Sequence, residues 1–156
     1  MPSVHINIGS NLGNSRSLIE RAVAGIALLS DTPLRSSAFV ESDAWGYRSA
    51  HRFVNVGVEI ETTLPPEALL RELQRIERAI CQAPHRNADG SYADREIDVD
   101  MIYYGELVLD TPALVLPHPR MHLREFVLVP LCELSPGWIH PLLGLTAAQL
   151  LARSES

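Results

Sequence analysis

Hydrophobic positions alternate with polar ones in three stretches of the chain. In residues 3–8 (SVHINI), Val4, Ile6 and Ile8 fall on one face, the period-two pattern of a short strand. From Phe53 to Thr62, Val54, Val56, Val58 and Ile60 face one way, while Phe53, Asn55, Gly57 and Glu59 face the other. Residues 96–104 (EIDVDMIYY) alternate again, with Ile97, Val99 and Met101 directed to a core. Residues 34–41 read as a further strand. Helical spacing replaces alternation in two segments. Ser17-x-x-Glu20 has the form of a capping box, after which Leu18, Ala22, Val23, Ile26 and Leu29 recur at helical intervals. Pro65-Pro66 sets the start of a second helix, with Leu69, Leu70, Leu73, Ile76 and Ile80 as its buried stripe.

Two polar stretches, 42–51 and 82–95, have no period and read as loops. A turn at Gly105-Glu106 predicts a partner strand over 107–109. The tail beyond it holds six of the eleven prolines, so only short helices fit there, near 124–134 and 146–153. The order β-α-β-β-α-β predicts an α+β, ferredoxin-like antiparallel sheet with both helices on one face. A C-terminal extension of a hairpin and short helices completes it. No repeat or linker divides residues 1–156, which read as a single domain. This architecture hosts many unrelated activities, so function must come from particular residues.

Composition narrows the field. Hydrophobic residues make up 46% and charged residues 21%, ordinary values for a globular protein. Cys81 and Cys132 have no metal-ligand or disulfide-framework spacing, which suits reduced thiols in the cytoplasm. There is no signal-peptide pattern, and no apolar run approaches the roughly 20 residues of a membrane helix. The net charge of −6 argues against nucleic acid as a partner. All thirteen basic residues are Arg, and the absence of Lys excludes a Walker-A phosphate loop and a pyridoxal Schiff base. Gly9-Ser10-Asn11-Leu12-Gly13 is therefore a strand-to-helix connector before it is a phosphate loop.

Asp98-Val99-Asp100 is the strongest local signal. Two residues apart on a strand, both carboxylates project from the same face and repel unless a cation lies between them. Mg²⁺ takes one or two protein carboxylates and accepts substrate phosphates, although a solvated strand face with a nearby Arg is the plainer alternative. Gln74 and Glu77, three apart on the second helix with Arg71 and Arg78 close by, could read a purine or simply form a solvated face. Phe53 with Asn55 could stack on and hydrogen-bond a flat heterocycle, or pack under a loop. Trp45 is either a lid or a cover for the core. Pro117-His118-Pro119 with Arg124 and Phe126 presents a restrained histidine, a cation and an aromatic ring, or a structural turn.

Taken in order, these segments resemble one family. G-S-N-L-G follows the first strand, F-x-N-x-x-x-x-x-E-T precedes the second helix, and L-L-x-x-L-Q-x-I-E lies within it. R-x-I-D-x-D and P-H-P-x-x-x-x-R-x-F-V-L-x-P-L come later. The combination is similar to 6-hydroxymethyl-7,8-dihydropterin pyrophosphokinase, from about residue 4 to residue 150. The resemblance implies transfer of pyrophosphate from ATP to a pterin hydroxymethyl group with release of AMP, on the route to folate. It makes Asp98 and Asp100 ligands of two Mg²⁺ ions. It places Gln74, Glu77, Arg95, Met101, His118 and Arg124 around ATP, with Arg95 and Arg86 also catalytic. It assigns Ser42, Asp43, Trp45, Phe53, Asn55 and Phe126 to the pterin. Small-molecule partners, a monomer and a cytoplasmic location follow from the same likeness.

The chain departs from the family in its long loop. Relatives carry G-R-x-R after the second helix and then a Trp, whereas here Cys81-Gln82-Ala83-Pro84-His85-Arg86 and Tyr92 stand there. Arg86 takes the place of one loop arginine, and the other has no clear counterpart. The 42–45 stretch also differs from the T-x-P-x-G pattern of relatives. These departures leave a second reading, a relative that binds nucleotide or pterin without turnover or with another substrate. The topology itself could host a third, an RNA-binding module, which the acidic balance and the absence of Lys disfavour.

Overall fold

The computed structural model describes residues 1–11, 14–42, 53–81 and 97–154. Strand β1 (Ser3–Ser10) lies centrally, with β4 (Phe53–Glu61) and β5 (Asp98–Tyr104) antiparallel on either side. Beyond β4 the sheet is completed by two short strands, β2 (Arg35–Ser36) and β3 (Val40–Ser42). From β5 the strands therefore run β5, β1, β4 and then β2 with β3, the antiparallel ferredoxin-like order.

Helices α1 (Ser15–Ala27) and α2 (Pro66–Ile80) cover one face of this sheet. Val4, Ile6, Ile8, Val54, Val56, Val58, Ile60, Val99 and Met101 meet Leu18, Ile19, Ala22, Ile26, Leu69, Leu73, Ile76 and Ile80 in a single apolar core. The alternation of the strands and the helical stripes predict this packing directly. A second, smaller cluster sits against the opposite face. There α3 (Glu125–Leu134) and α4 (Ala147–Ser154) bury Val127, Leu128, Leu131, Ala147 and Leu150 against Ile102 and Tyr103. Both helices fall where the proline-rich tail leaves room for them.

Three expectations are corrected. The strand read over 34–41 is broken at Ser37–Phe39 into β2 and β3, because the Ser37 hydroxyl accepts from the Gly57 amide and replaces a ladder bond there. Ser17 is no N-cap: α1 begins at Ser15 after Asn14, and no side chain caps it. Residues 107–109 do not pair with β5. Instead β6 (Leu109–Asp110) pairs with β7 (Val115–Leu116) in a separate hairpin. The chain leaves the sheet at Gly105, whose φ of +55° suits glycine, and the His118 amide docks back on the Ile102 carbonyl at 2.7 Å.

A candidate active site on the open half of the sheet

On the face opposite α1 and α2, three strands present nine residues in three rows. The first row is Glu59, His5 and Tyr103, the second Gly57, Asn7 and Asp100, and the third Asn55, Gly9 and Asp98. Strict alternation along β5 would send Tyr103 to the α1–α2 core. A bulge prevents this: the register shifts between His5 and Ile6, leaving Ile102 as the extra residue and turning Tyr103 onto the His5 side.

The first row is closed by α3. Glu59 and His5 are fully buried and joined, with 2.9 Å between the Glu59 carboxylate and His5 Nδ1. The Tyr103 hydroxyl donates to the same carboxylate at 3.0 Å, the Ser135 hydroxyl donates at 2.6 Å, and Arg35 completes the set. Burial alone would raise the Glu59 carboxyl. The hydrogen bonds from His5 and Ser135, the attraction of His5 and the Tyr103 hydroxyl outweigh it and hold the group below its usual 4.5. Burial and the neighbouring Glu59 charge push the Tyr103 phenol up. Arg35 also donates to the Leu134 carbonyl at 2.9 Å, which ties the end of α3 to the network. The helix crosses directly over Gly57, where a Cβ would stand 2.7 Å from Pro130 Cβ.

The second and third rows hold the carboxylates. Asp98 and Asp100 lie on β5 with partial exposure, on the same side of the strand, as the spacing predicts. Among the described residues β5 pairs with β1 alone, so its outer edge carries backbone donors, and the Val99 amide donates to Glu77 of α2 at 3.1 Å. Glu77 therefore stands at the sheet edge beside the two aspartates, while Gln74 on the same helix is exposed. Met101 is buried in the apolar core on the opposite face, so any part it takes in nucleotide binding falls to its main chain.

Asn55 anchors the other side. It is 3% exposed, and its Oδ1 accepts from Asn7 Nδ2 at 3.3 Å. That oxygen lies so close over Gly9 that a Cβ there would sit 2.6 Å from it. Gly9 is thus required by the close approach of an amide. Phe53, half-buried, begins β4 opposite Ser42 of β3.

His118 docks on β5 through the Ile102 carbonyl, Arg124 lies near it, and Phe126 packs half-buried against the cluster of Ile102 and Tyr103. Burial first, then the charges of Arg124 and Arg120, lower the His118 imidazole to about 4. Its Nδ1 accepts from the Arg120 amide at 3.2 Å, so the neutral ring carries its proton on Nε2 as a donor. The Arg124 guanidinium lies 5.6 Å from the centre of the Phe126 ring. Asp43, Trp45, Arg86, Tyr92 and Arg95 lie outside the described residues, as does the whole 82–95 loop. Asp98, Asp100 and Asn55 thus share one side of the sheet and His118 lies near Arg124, while Gln74 and Glu77 belong to α2 and Met101 to the opposite face. His5, Asn7 and Glu59 escaped the sequence reading, although the alternation of SVHINI already puts His5 and Asn7 on the face opposite the core.

The profile of the 7,8-dihydro-6-hydroxymethylpterin-pyrophosphokinase family matches residues 5–136. A 2-amino-4-hydroxy-6-hydroxymethyldihydropteridine pyrophosphokinase of Porphyromonas gingivalis is 37% identical over 142 residues, 90% of this chain and 95% of that protein. The protein of that name from Aquifex aeolicus is 32% identical over 91% of this chain and 86% of its own length. Among solved structures, Plasmodium falciparum HPPK-DHPS superimposes with a TM-score of 0.72 over 97% of this chain. At 13% identity that likeness concerns the fold, and the present chain spans 44% of that longer one.

Proposed function

The chain belongs to the 7,8-dihydro-6-hydroxymethylpterin-pyrophosphokinase family, and on that premise we infer how its open sheet face carries out pyrophosphate transfer. The protein is an ATP-dependent pyrophosphokinase of folate biosynthesis. In our reading ATP donates its β,γ-pyrophosphoryl group to the hydroxymethyl oxygen of 6-hydroxymethyl-7,8-dihydropterin, and AMP leaves.

The observation that carries this reading is the third row, where Asn55 and Asp98 flank Gly9 across the central strand. Two strand spacings separate them, about 10 Å. A pterin held at Asn55 between Phe53 and Phe126 can then direct its hydroxymethyl group across β1 toward Asp98, past Gly9, which adds no side chain. Phosphates held at Asp98 and Asp100 meet it there. Such juxtaposition supplies much of the acceleration in phosphoryl transfer, where the protein does little covalent work.

The residues present fit Mg²⁺. Asp98 and Asp100 offer hard oxygen donors, and the described residues contain no group of three or more His, Cys, Asp or Glu able to hold a metal alone. Two carboxylates leave coordination positions for water and phosphate, the usual habit of this ion. Two Mg²⁺ ions bound there would neutralise the bridging and leaving oxygens. The chain itself supplies fixed donors: the neutral His118 presents Nε2–H to a phosphate oxygen, and Arg124 adds a planar fork of N–H groups. Gln74 and Glu77 contact the nucleotide or its metal, and Arg95 and Arg86 act on the phosphates. Ser42, Asp43 and Trp45 complete the pterin side. Among the described residues no helix is long and apolar enough to cross a membrane. We take the protein to work as a single-domain cytoplasmic monomer on these small molecules, without nucleic acid.

The test is AMP release by the purified chain with Mg²⁺, ATP and 6-hydroxymethyl-7,8-dihydropterin, against pterin-free and metal-free controls. Pterin-dependent AMP is expected. Binding of both ligands without AMP would make the chain a binding relative and point to residues 82–95.

A further inference from the structure

We propose that Asn7 is a positioning residue for the pterin, acting through Asn55; the inference rests on the function proposed above. Asn7 occupies the centre of the nine-residue face, paired with Gly57 on one side and Asp100 on the other. It is 3% exposed, and its Nδ2 donates to Asn55 Oδ1 at 3.3 Å. An amide side chain has two orientations of nearly equal shape that exchange donor for acceptor. A donor on β1 removes that degeneracy: it draws the Asn55 oxygen inward over Gly9 and turns the nitrogen away from β1. A heterocycle docking at Asn55 then meets an amide whose donor and acceptor are assigned in advance.

A second observation separates this role from a structural one. Asn7 Oδ1 is buried and has no hydrogen-bond partner among the described residues. Burying an unsatisfied carbonyl costs stability, and Val or Ala would lie on a strand at less cost. Folding alone thus gives no reason for an amide at this position, whereas orienting Asn55 does.

The experiment measures steady-state AMP release by the full chain, wild type beside Asn7→Ala, Asn7→Ser, Asn55→Ala and the double variant Asn7→Ala/Asn55→Ala. Wild type is assayed first: if it neither binds the pterin nor releases AMP with it, the proposed function itself falls. With wild type active, Asn7→Ala should raise KM for the pterin about tenfold, the value of one oriented hydrogen bond. kcat, KM for ATP and Tm should hold. Asn7→Ser, whose hydroxyl is too short to reach Asn55, should behave alike and serves if the alanine variant folds poorly. The double variant should match Asn55→Ala, since the effect passes through that residue. An unchanged pterin KM in both Asn7 variants, or factors that multiply in the double variant, would overturn the assignment while leaving the enzyme's reaction intact.

Discussion

Replacing Gly9 by Ala tests whether the floor of the site is as close-fitting as the structure shows. A Cβ there would stand 2.6 Å from Asn55 Oδ1 and 3.5 Å from its Cγ. To reach ordinary contact at 3.4 Å the oxygen must retreat by roughly 0.8 Å. The amide is the end of a side chain and can swing away, losing its bond to Asn7. The folding cost is then about 1 kcal/mol, or about 2–4 °C in Tm for a chain of this size. Function suffers more, because a displacement near 1 Å at a positioning group can cost up to about a hundredfold; we expect about thirtyfold in kcat/KM for the pterin. Gly57→Ala is the control. Its Cβ would meet Pro130 Cβ at 2.7 Å and His5 Nε2 at 2.8 Å. A helix and a ring bound to Glu59 cannot yield so easily, so stability should fall by about 3 kcal/mol and Tm by about 10 °C. Steady-state kinetics and thermal melts on both variants decide the matter. Gly9→Ala with wild-type pterin kcat/KM, or with a loss of Tm equal to that of Gly57→Ala, would refute the geometry assigned to Asn55.

Three further outcomes follow from the same face. Asp98→Asn or Asp100→Asn should lower turnover at least about a hundredfold while pterin binding by calorimetry persists, since charge neutralisation at the phosphates is lost. Glu59→Gln should lower stability by about 3 kcal/mol in urea melts at pH 7, because a buried ionic network loses its anion. Since the folded Glu59 carboxyl lies below 4.5, its contribution is present above that pH and is lost as pH falls through the folded value, so the gap between wild type and variant should close in acid. His118 should titrate near 4 by NMR of the ligand-free protein. Between that value and 6.5 the unfolded chain holds a proton that the folded chain does not, so this group makes stability rise with pH across the window and level off above it. A midpoint near 6.5 would contradict its burial beside Arg124 and Arg120.

What the sequence reveals and conceals has a physical basis in these residues. Local periodicity is enough for β1, β4, β5, α1 and α2, because each buries one apolar face against the others. The carboxylate pair is legible for the same reason: two residues apart on a strand means one side. Periodicity assigns Asn55, Gly57 and Glu59 to the polar face but cannot say that this face is half covered. That depends on α3, about seventy residues further on, whose Pro130 rests over Gly57 and whose end is held by Arg35. The bulge at Ile102 is equally silent, since Ile-Tyr-Tyr continues an apolar run whichever way Tyr103 turns. The turn at Gly105-Glu106 predicts a partner for β5 over 107–109, yet β6 pairs with β7, because a turn signal states where a chain reverses and not which partner it finds.

α3 covers the first row and reaches Gly57 of the second, while Asp98 and Asp100 at the β5 end of the other two rows keep partial exposure. Among the described residues α3 covers the sheet where His5 and Glu59 meet Tyr103, Ser135 and Arg35 and where Pro130 rests over Gly57, and the polar network there consumes most of the donors and acceptors that water would otherwise satisfy. Asn7 and Asp100 lie one row further along the same strands, and Asn55 and Asp98 two rows further. In the proposed reaction a ligand's ring edge, its phosphates and the accompanying cations would meet this group. His5 and Asn7 are neighbours on this face of β1, separated only by Ile6; the first binds the buried Glu59, and under the proposal above the second orients Asn55. Substitutions at His5 should therefore appear in Tm and at Asn7 in pterin KM, a division that alternation alone does not predict.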